Sequence, residues 1–108
     1  MTPEIASRIY GIISKTSYVK LFEKIQKKSV EYAHIRAEFA LADRETQIEM
    51  DPSRTIVHNA LIDCIKILAR NMGAAGEDVE WYRLLLKGDR YEIGKFACWV
   101  HWYLSDEA

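Results

Sequence analysis

An arginine and a histidine stand where a helix should be apolar in the stretch SRTIVHNALID, residues 53–63. At helical spacing, positions 54, 58, 61, 65, 68 and 72 form one seam, and its later members are Leu61, Ile65, Leu68 and Met72. Arg54 and His58 open that seam. A guanidinium taken out of water needs a carboxylate partner, or its desolvation costs several kcal/mol. Arg36 and Arg44 lie on the apolar side of the preceding helical stretch, and Asp43, Asp51 and Asp63 are the available counter-charges. Two arrangements satisfy this chemistry. One is a hydrogen-bonded polar plug at an end of a helical bundle. The other is a pocket built from Arg36, Arg54, His58, Asn59 and Asp63, which would suit a small anionic ligand because arginine forks match carboxylate and phosphate.

Other chemistry-bearing residues carry less. Glu31-x-x-His34 has the spacing that puts two metal ligands on one helical turn, as in di-iron bundles. Such a site wants a second Glu-x-x-His and two further inward glutamates, which the sequence lacks. Glu31, His34 and Glu38 also continue the charged strip begun by Lys20, Lys24 and Lys27, so they read as an outer face. Cys64 and Cys98 sit inside apolar helical patterns and read as small core residues, without the CxxC spacing of a zinc or redox site. No metal or cofactor is expected. Lys15, Lys20, Lys24, Lys27 and Lys28 against Glu23 make residues 15–28 locally basic, which a solvated helix face explains as well as an acidic partner does.

These residues must be held by helices, because punctuation throughout the chain is helical and no segment alternates apolar with polar residues. Thr2-Pro3 reads as an N-cap followed by proline in the first turn, opening a helix to about Lys15. Ser17 can cap a second, on which Val19, Phe22, Val30, Ala33, Ala37, Ala40 and Leu41 recur at helical spacing. No Gly or Pro interrupts residues 17–50, so the expectation is one long helix. Asp51-Pro52 repeats the cap-then-proline signal and should start a central third helix with a wide apolar face, closed by Gly73. The loop GAAGED follows, then a short helix capped by Glu77 or Asp78 and ending near Lys87. Gly88-Asp89 should stop that helix and begin the last, which runs to about Leu104. The fold class is therefore all-α: a compact single-domain bundle of about five helices.

The last helix raises its own question. FACWVHWYL, Phe96 to Leu104, is apolar on more than one side. Ile93, Phe96, Ala97, Val100 and Leu104 share one face, which must be the core face. Tyr91, Cys98 and Trp102 lie roughly opposite, with His101 beside them and Trp99 on the flank. Such a helix is either enclosed by its own domain or shared with another chain. In the second case Tyr91, Cys98, Trp99, His101 and Trp102 are the interface, most simply of a two-fold dimer.

Two resemblances accompany these residues. Arg54-Thr-Ile-Val-His58 looks like the Arg-x4-6-His signature of helical nucleotide-binding and ribonuclease domains in bacterial toxin systems. There the arginine contacts phosphate and the histidine handles protons; here three residues intervene, one short of the pattern. The order RIYGIIS, RTIVHNALI with ILARNMG, then GDRYEIGKFA resembles a family of small uncharacterised bacterial helical proteins. That resemblance implies a cytoplasmic all-helical domain and no activity. Bacteriocin immunity proteins are similar in length and helical build.

Composition narrows the function classes. The chain has 108 residues, 49% hydrophobic and 29% charged, which suits one folded domain. A net charge of -1 gives no global field toward nucleic acid or an anionic membrane. Nothing approaches a membrane span, and the N-terminus lacks the build of a signal peptide, so a cytoplasmic location is expected. The sequence points to a binding protein rather than an enzyme, its partner a second copy or another protein.

Overall fold

The computed structural model describes residues 1–87 and 91–107, and among them every regular element is a helix. The order is α1 (Pro3–Ser14), α2 (Val19–Leu41), α3 (Arg44–Ala74), α4 (Glu80–Leu86) and α5 (Tyr91–Glu107). This is the expected all-α bundle. No helix among the described residues is long and apolar enough to cross a membrane. The expected stop and start at Gly88-Asp89 lie outside the described residues.

Local chemistry explains each boundary. The Ile5 N–H donates to Thr2 Oγ1 at 3.2 Å, and Pro3 takes the first helical position, so α1 starts where its cap signal says. Ala6, Ile9, Tyr10 and Ile13 are its buried stripe. The second boundary corrects the sequence reading. Residues 17–50 are not one helix, because the chain becomes extended at Ala42 and Asp43 and then turns into α3. Asp43 is the cause: its Oδ1 accepts the Thr46 N–H at 2.8 Å, so an N-cap competes successfully with helix continuation. Gln47 Nε2 reaches back to the Phe39 carbonyl at 2.8 Å and adds a second, shorter bond to the one that this acceptor takes from the Ala42 N–H at 3.3 Å, which helps to close α2. Asp51-Pro52 therefore does not start a helix. Pro52 lies inside α3, and Asp51 instead pairs with Arg54 one turn on.

Ser17 does not cap α2 either. Tyr18 is the N-cap without a side-chain bond, and its hydroxyl donates to the Asn71 carbonyl at 3.2 Å, tying the start of α2 to the end of α3. That end also differs from expectation. Gly76, not Gly73, is the left-handed residue, with φ 79. Its N–H donates to the Gly73 carbonyl at 3.0 Å, and the Glu77 N–H to the Met72 carbonyl at 2.9 Å, which together make a Schellman closure.

Three helices set the site. α2 packs against both α3 and α5. Tyr32 meets His58, and seven residues later Phe39 meets Arg54, so α2 and α3 run antiparallel. α3 supplies Leu61, Ile65 and Leu68, all fully buried, and α5 supplies Phe96, Ala97 and Val100. α1 and α4 close the core with Ile9, Ile13, Trp81 and Leu85. The core face of α2 differs from the expected one: Ala33 is buried as expected, but it is joined by Ile25, Ser29 and Tyr32, whereas Val19, Ala37, Ala40 and Leu41 are exposed. At ~1.5 Å per residue the helix α3 matches the long axis of the molecule, 47 Å. Its buried positions begin only at Leu61, and those of α2 end at Ala33. The far ends of these two helices therefore form a hairpin that outruns the core.

Candidate functional site

The polar seam lies where that hairpin leaves the core. Tyr32, Arg36 and Phe39, at helical spacing on α2, face Arg54, Thr55 and His58 of α3 across a cavity of about 370 Å³, and Tyr91 at the start of α5 forms its third wall. Arg36, Arg54 and His58 of the expected pocket are thus brought together. Asn59 and Asp63 are not; both are exposed and neither lines the cavity. Helix rotation is the reason, since steps of one and five residues from His58 turn the side chain ~100° and ~140° away. Asn59 only touches His58, with Nδ1 3.2 Å from Oδ1. Arg44 is exposed at the first position of α3 and takes no part.

The two cations are held differently. Arg54 Nη2 donates to Asp51 Oδ1 at 2.6 Å, its Cζ lies 4.5 Å from the centre of the Phe39 ring, and its Nε is buried without an acceptor among the described residues. Arg36 has no ion pair among the described residues. Its Cζ stands 5.8 Å from the Tyr32 ring centre, and its guanidinium occupies the space a Cβ would fill at Gly94 of α5. Both placements are cation–π contacts, in which the ring face attracts positive charge. His58 packs edge-on against Tyr32 with centroids 5.3 Å apart. Burial pushes the Tyr32 phenol above its ordinary range, and the positive charges of Arg36 and Arg54 oppose that rise.

Tyr32, Phe39 and Thr55 were absent from the sequence-level pocket. The signal for the first two was the i, i+4, i+7 spacing of Tyr32, Arg36 and Phe39 on one helix face. It becomes readable only once α2 ends near residue 41 and folds back.

The outer face of α5 is a second feature. Ile93, Phe96, Ala97 and Val100 are buried as expected, and Leu104 is half-buried. Trp102 is 61% exposed and Cys98 is exposed beside it. Tyr91 is 46% exposed, but eleven residues, about 16 Å of helix, separate it from Trp102, and it belongs to the cavity wall. Trp99 is engaged internally: it stacks on Tyr103 at 5.1 Å and meets Tyr10 edge-on at 5.5 Å. His101 Nε2 lies 2.8 Å from His34 Nε2 across α2 and α5, so one imidazole donates to the other. No group of three or more metal-ligating side chains converges among the described residues. Two shallow grooves run between α2 and α5, about 500 Å³ and 450 Å³, and share Ala33, Ala37 and Cys98.

Comparison of the chain with family models, with curated proteins and with solved structures finds no match.

Proposed function

We propose that the protein acts by binding rather than by chemistry, and that its principal contact is with a second copy of itself through the outer face of α5. The observation that carries this reading is Trp102, 61% exposed on a helix whose opposite face is fully packed. A lone exposed leucine needs no explanation, but an indole left in water forgoes the burial that makes tryptophan the commonest anchor of interfaces. The neighbouring surface supports the reading. Ala37 and Cys98 are short side chains flooring the α2–α5 grooves, which lets another helix or an indole approach closely. Knob and groove lie on one face, so a two-fold axis satisfies both at once, and the contact closes without forming filaments. His101 and His34 sit at the edge of that contact.

The test is light scattering coupled to size exclusion, over loading concentrations from about 1 µM to about 1 mM, the range in which such contacts form. The wild type should pass from monomer to dimer. Trp102→Ala should shift the midpoint by at least about 30-fold, the equivalent of ~2 kcal/mol at a binding anchor, with circular dichroism unchanged. A wild type that stays monomeric at the highest concentration removes self-association.

A further inference from the structure

The cavity bounded by α2, α3 and the first turn of α5 has a composition of its own. Its walls are three aromatic rings, Tyr32, Phe39 and Tyr91, and its charges are the guanidinium groups of Arg36 and Arg54. We infer that this cavity binds a small planar aromatic anion, a single ring bearing a phosphate or carboxylate group.

Charge comes first. Arg54 is neutralised in part by Asp51, whereas Arg36 faces the cavity with no carboxylate partner among the described residues. Among the described residues the site therefore keeps a net positive charge and favours an anion. Geometry comes second. Each guanidinium stands over an aromatic ring, Arg54 over Phe39 and Arg36 near Tyr32, from opposite helices. Stacking of this kind holds the guanidinium plane while leaving its edge N–H groups to donate, which is how arginine recognises flat oxyanions in two directions at once. Thr55 lines the same wall. Size comes third. A volume of about 370 Å³ is near the lower end of small-molecule sites, which span ~300–1,000 Å³. One ring and one anionic group fit within such a space, and the aromatic walls supply faces and edges for the ring to pack against.

A hydrogen-bonded structural role would look different. It would join these polar groups across the helix pair, yet among the described residues the only side-chain hydrogen bonds that Arg54 and His58 make are to Asp51 and Asn59 on their own helix. Trp102 is not part of the cavity wall, and Arg54 lines the cavity but neither α2–α5 groove, whereas Arg36 lines both the cavity and the larger groove; Arg54→Lys therefore separates this inference from self-association.

Isothermal titration calorimetry on the full chain tests it, with phenyl phosphate, benzoate, inorganic phosphate and phenol as probes. Phenyl phosphate or benzoate should bind at least about tenfold more tightly than inorganic phosphate and phenol, since each of the latter lacks half of the recognised chemistry. The stronger of the two ring-bearing anions names the head group. Arg36→Ala and Arg54→Lys should each weaken that binding by about tenfold or more, the worth of a charged hydrogen bond, with the circular dichroism of the wild type retained. Arg54→Lys keeps the charge toward Asp51 and removes only the fork, so it reports recognition even if Arg54→Ala unfolds. Absence of binding by both ring-bearing anions overturns the inference. So does binding that both variants leave unchanged, or inorganic phosphate binding as tightly as phenyl phosphate.

Discussion

Replacing Gly94 by alanine separates the position of the Arg36 guanidinium from the chemistry of Arg36 itself. Gly94 is the fourth residue of α5 and is buried, and a Cβ built on it would overlap the Nη1, Cζ and Nε atoms of Arg36. The three atoms nearest that Cβ all belong to Arg36, so the closest clash falls on the far end of a flexible side chain and not on backbone. Arginine has the rotamers to move away. Two small energies then oppose one another. Alanine in a helix is favoured over glycine by about 0.5–1 kcal/mol, while loss of the contact with Tyr32 costs about 0.5–1 kcal/mol. Gly94→Ala should therefore leave the urea midpoint within about 1 kcal/mol of wild type. Anion binding should suffer far more. With Arg36 displaced, phenyl phosphate affinity should fall about tenfold or more, as it does in Arg36→Ala. The double variant should be no worse than Arg36→Ala alone, because both changes remove the same donor. Wild-type affinity in Gly94→Ala would refute the reasoning. Destabilisation by ~3 kcal/mol would also refute it, by showing that Arg36 is locked in place rather than merely seated.

Three further changes have definite signs. Ser29 is fully buried in α2 and its hydroxyl has no partner among the described residues, so Ser29→Ala removes an unsatisfied group and should raise stability by about 1 kcal/mol in urea unfolding. Gly76 closes α3 at φ 79 with open space around it, so Gly76→Ala meets only backbone strain and should cost about 1–2 kcal/mol. Burial holds the Tyr32 phenol above its unfolded value, and a raised acid contributes stability that is complete below the unfolded value and lost as pH climbs through the folded one. Thermal melts from about pH 9 to about pH 11, the tyrosine range, should show a smaller alkaline loss in Tyr32→Phe than in the wild type.

What the sequence made legible was decided by how local the deciding interaction is. Thr2-Pro3 is a contact between near neighbours, and α1 starts where that pair says it should. The core face of α5 is also local: Ile93, Phe96, Ala97 and Val100 repeat at helical spacing and all are buried. The break at Ala42-Asp43 was a contest between two similar signals. Asp51-Pro52 carries the stronger-looking pair, but a cap acts only if the preceding chain can leave the helix. Asp43 does so because its Oδ1 accepts the exposed Thr46 N–H and Gln47 donates back to the Phe39 carbonyl, while Asp51 is drawn to Arg54. Misplacing that turn had consequences for α2. With the helix run on to residue 50, alanines 37 and 40 looked like core, and Ser29 and Tyr32 did not. The candidate pocket was legible in three residues, Arg36, Arg54 and His58, because apolar-seam violations show without knowing the fold. Tyr91 was read as interface because its partners lie on α2 and α3, at sequence separations no periodicity can reach.

The polar start of the α3 seam follows from where α5 begins. Below Leu61 each position of the seam is covered by α2 and by neighbouring helices, and the residues there are fully apolar. Above it α5 contributes only its first residues, so a leucine at position 54 or 58 would face a cavity with one open side rather than a packed wall. Burial is worth about 25 cal/mol per Å² of apolar surface only when water is actually removed, so the incentive for apolar residues fades there. That accounts for tolerance of polar groups but not for their identity. Solvated glutamates and lysines would serve equally well at a frayed end. Instead the chain places two arginines on facing helices, each over an aromatic ring, and one of them against a glycine that leaves it room. A structural plug would need cross-helix hydrogen bonds to justify the desolvation of such groups, and Arg36, Arg54 and His58 make none among the described residues. What remains is Arg36 without an ion pair among the described residues and Arg54 with Nη2 given to Asp51, each with a ring behind it, and recognition of a flat anion is the chemistry to which that combination is suited.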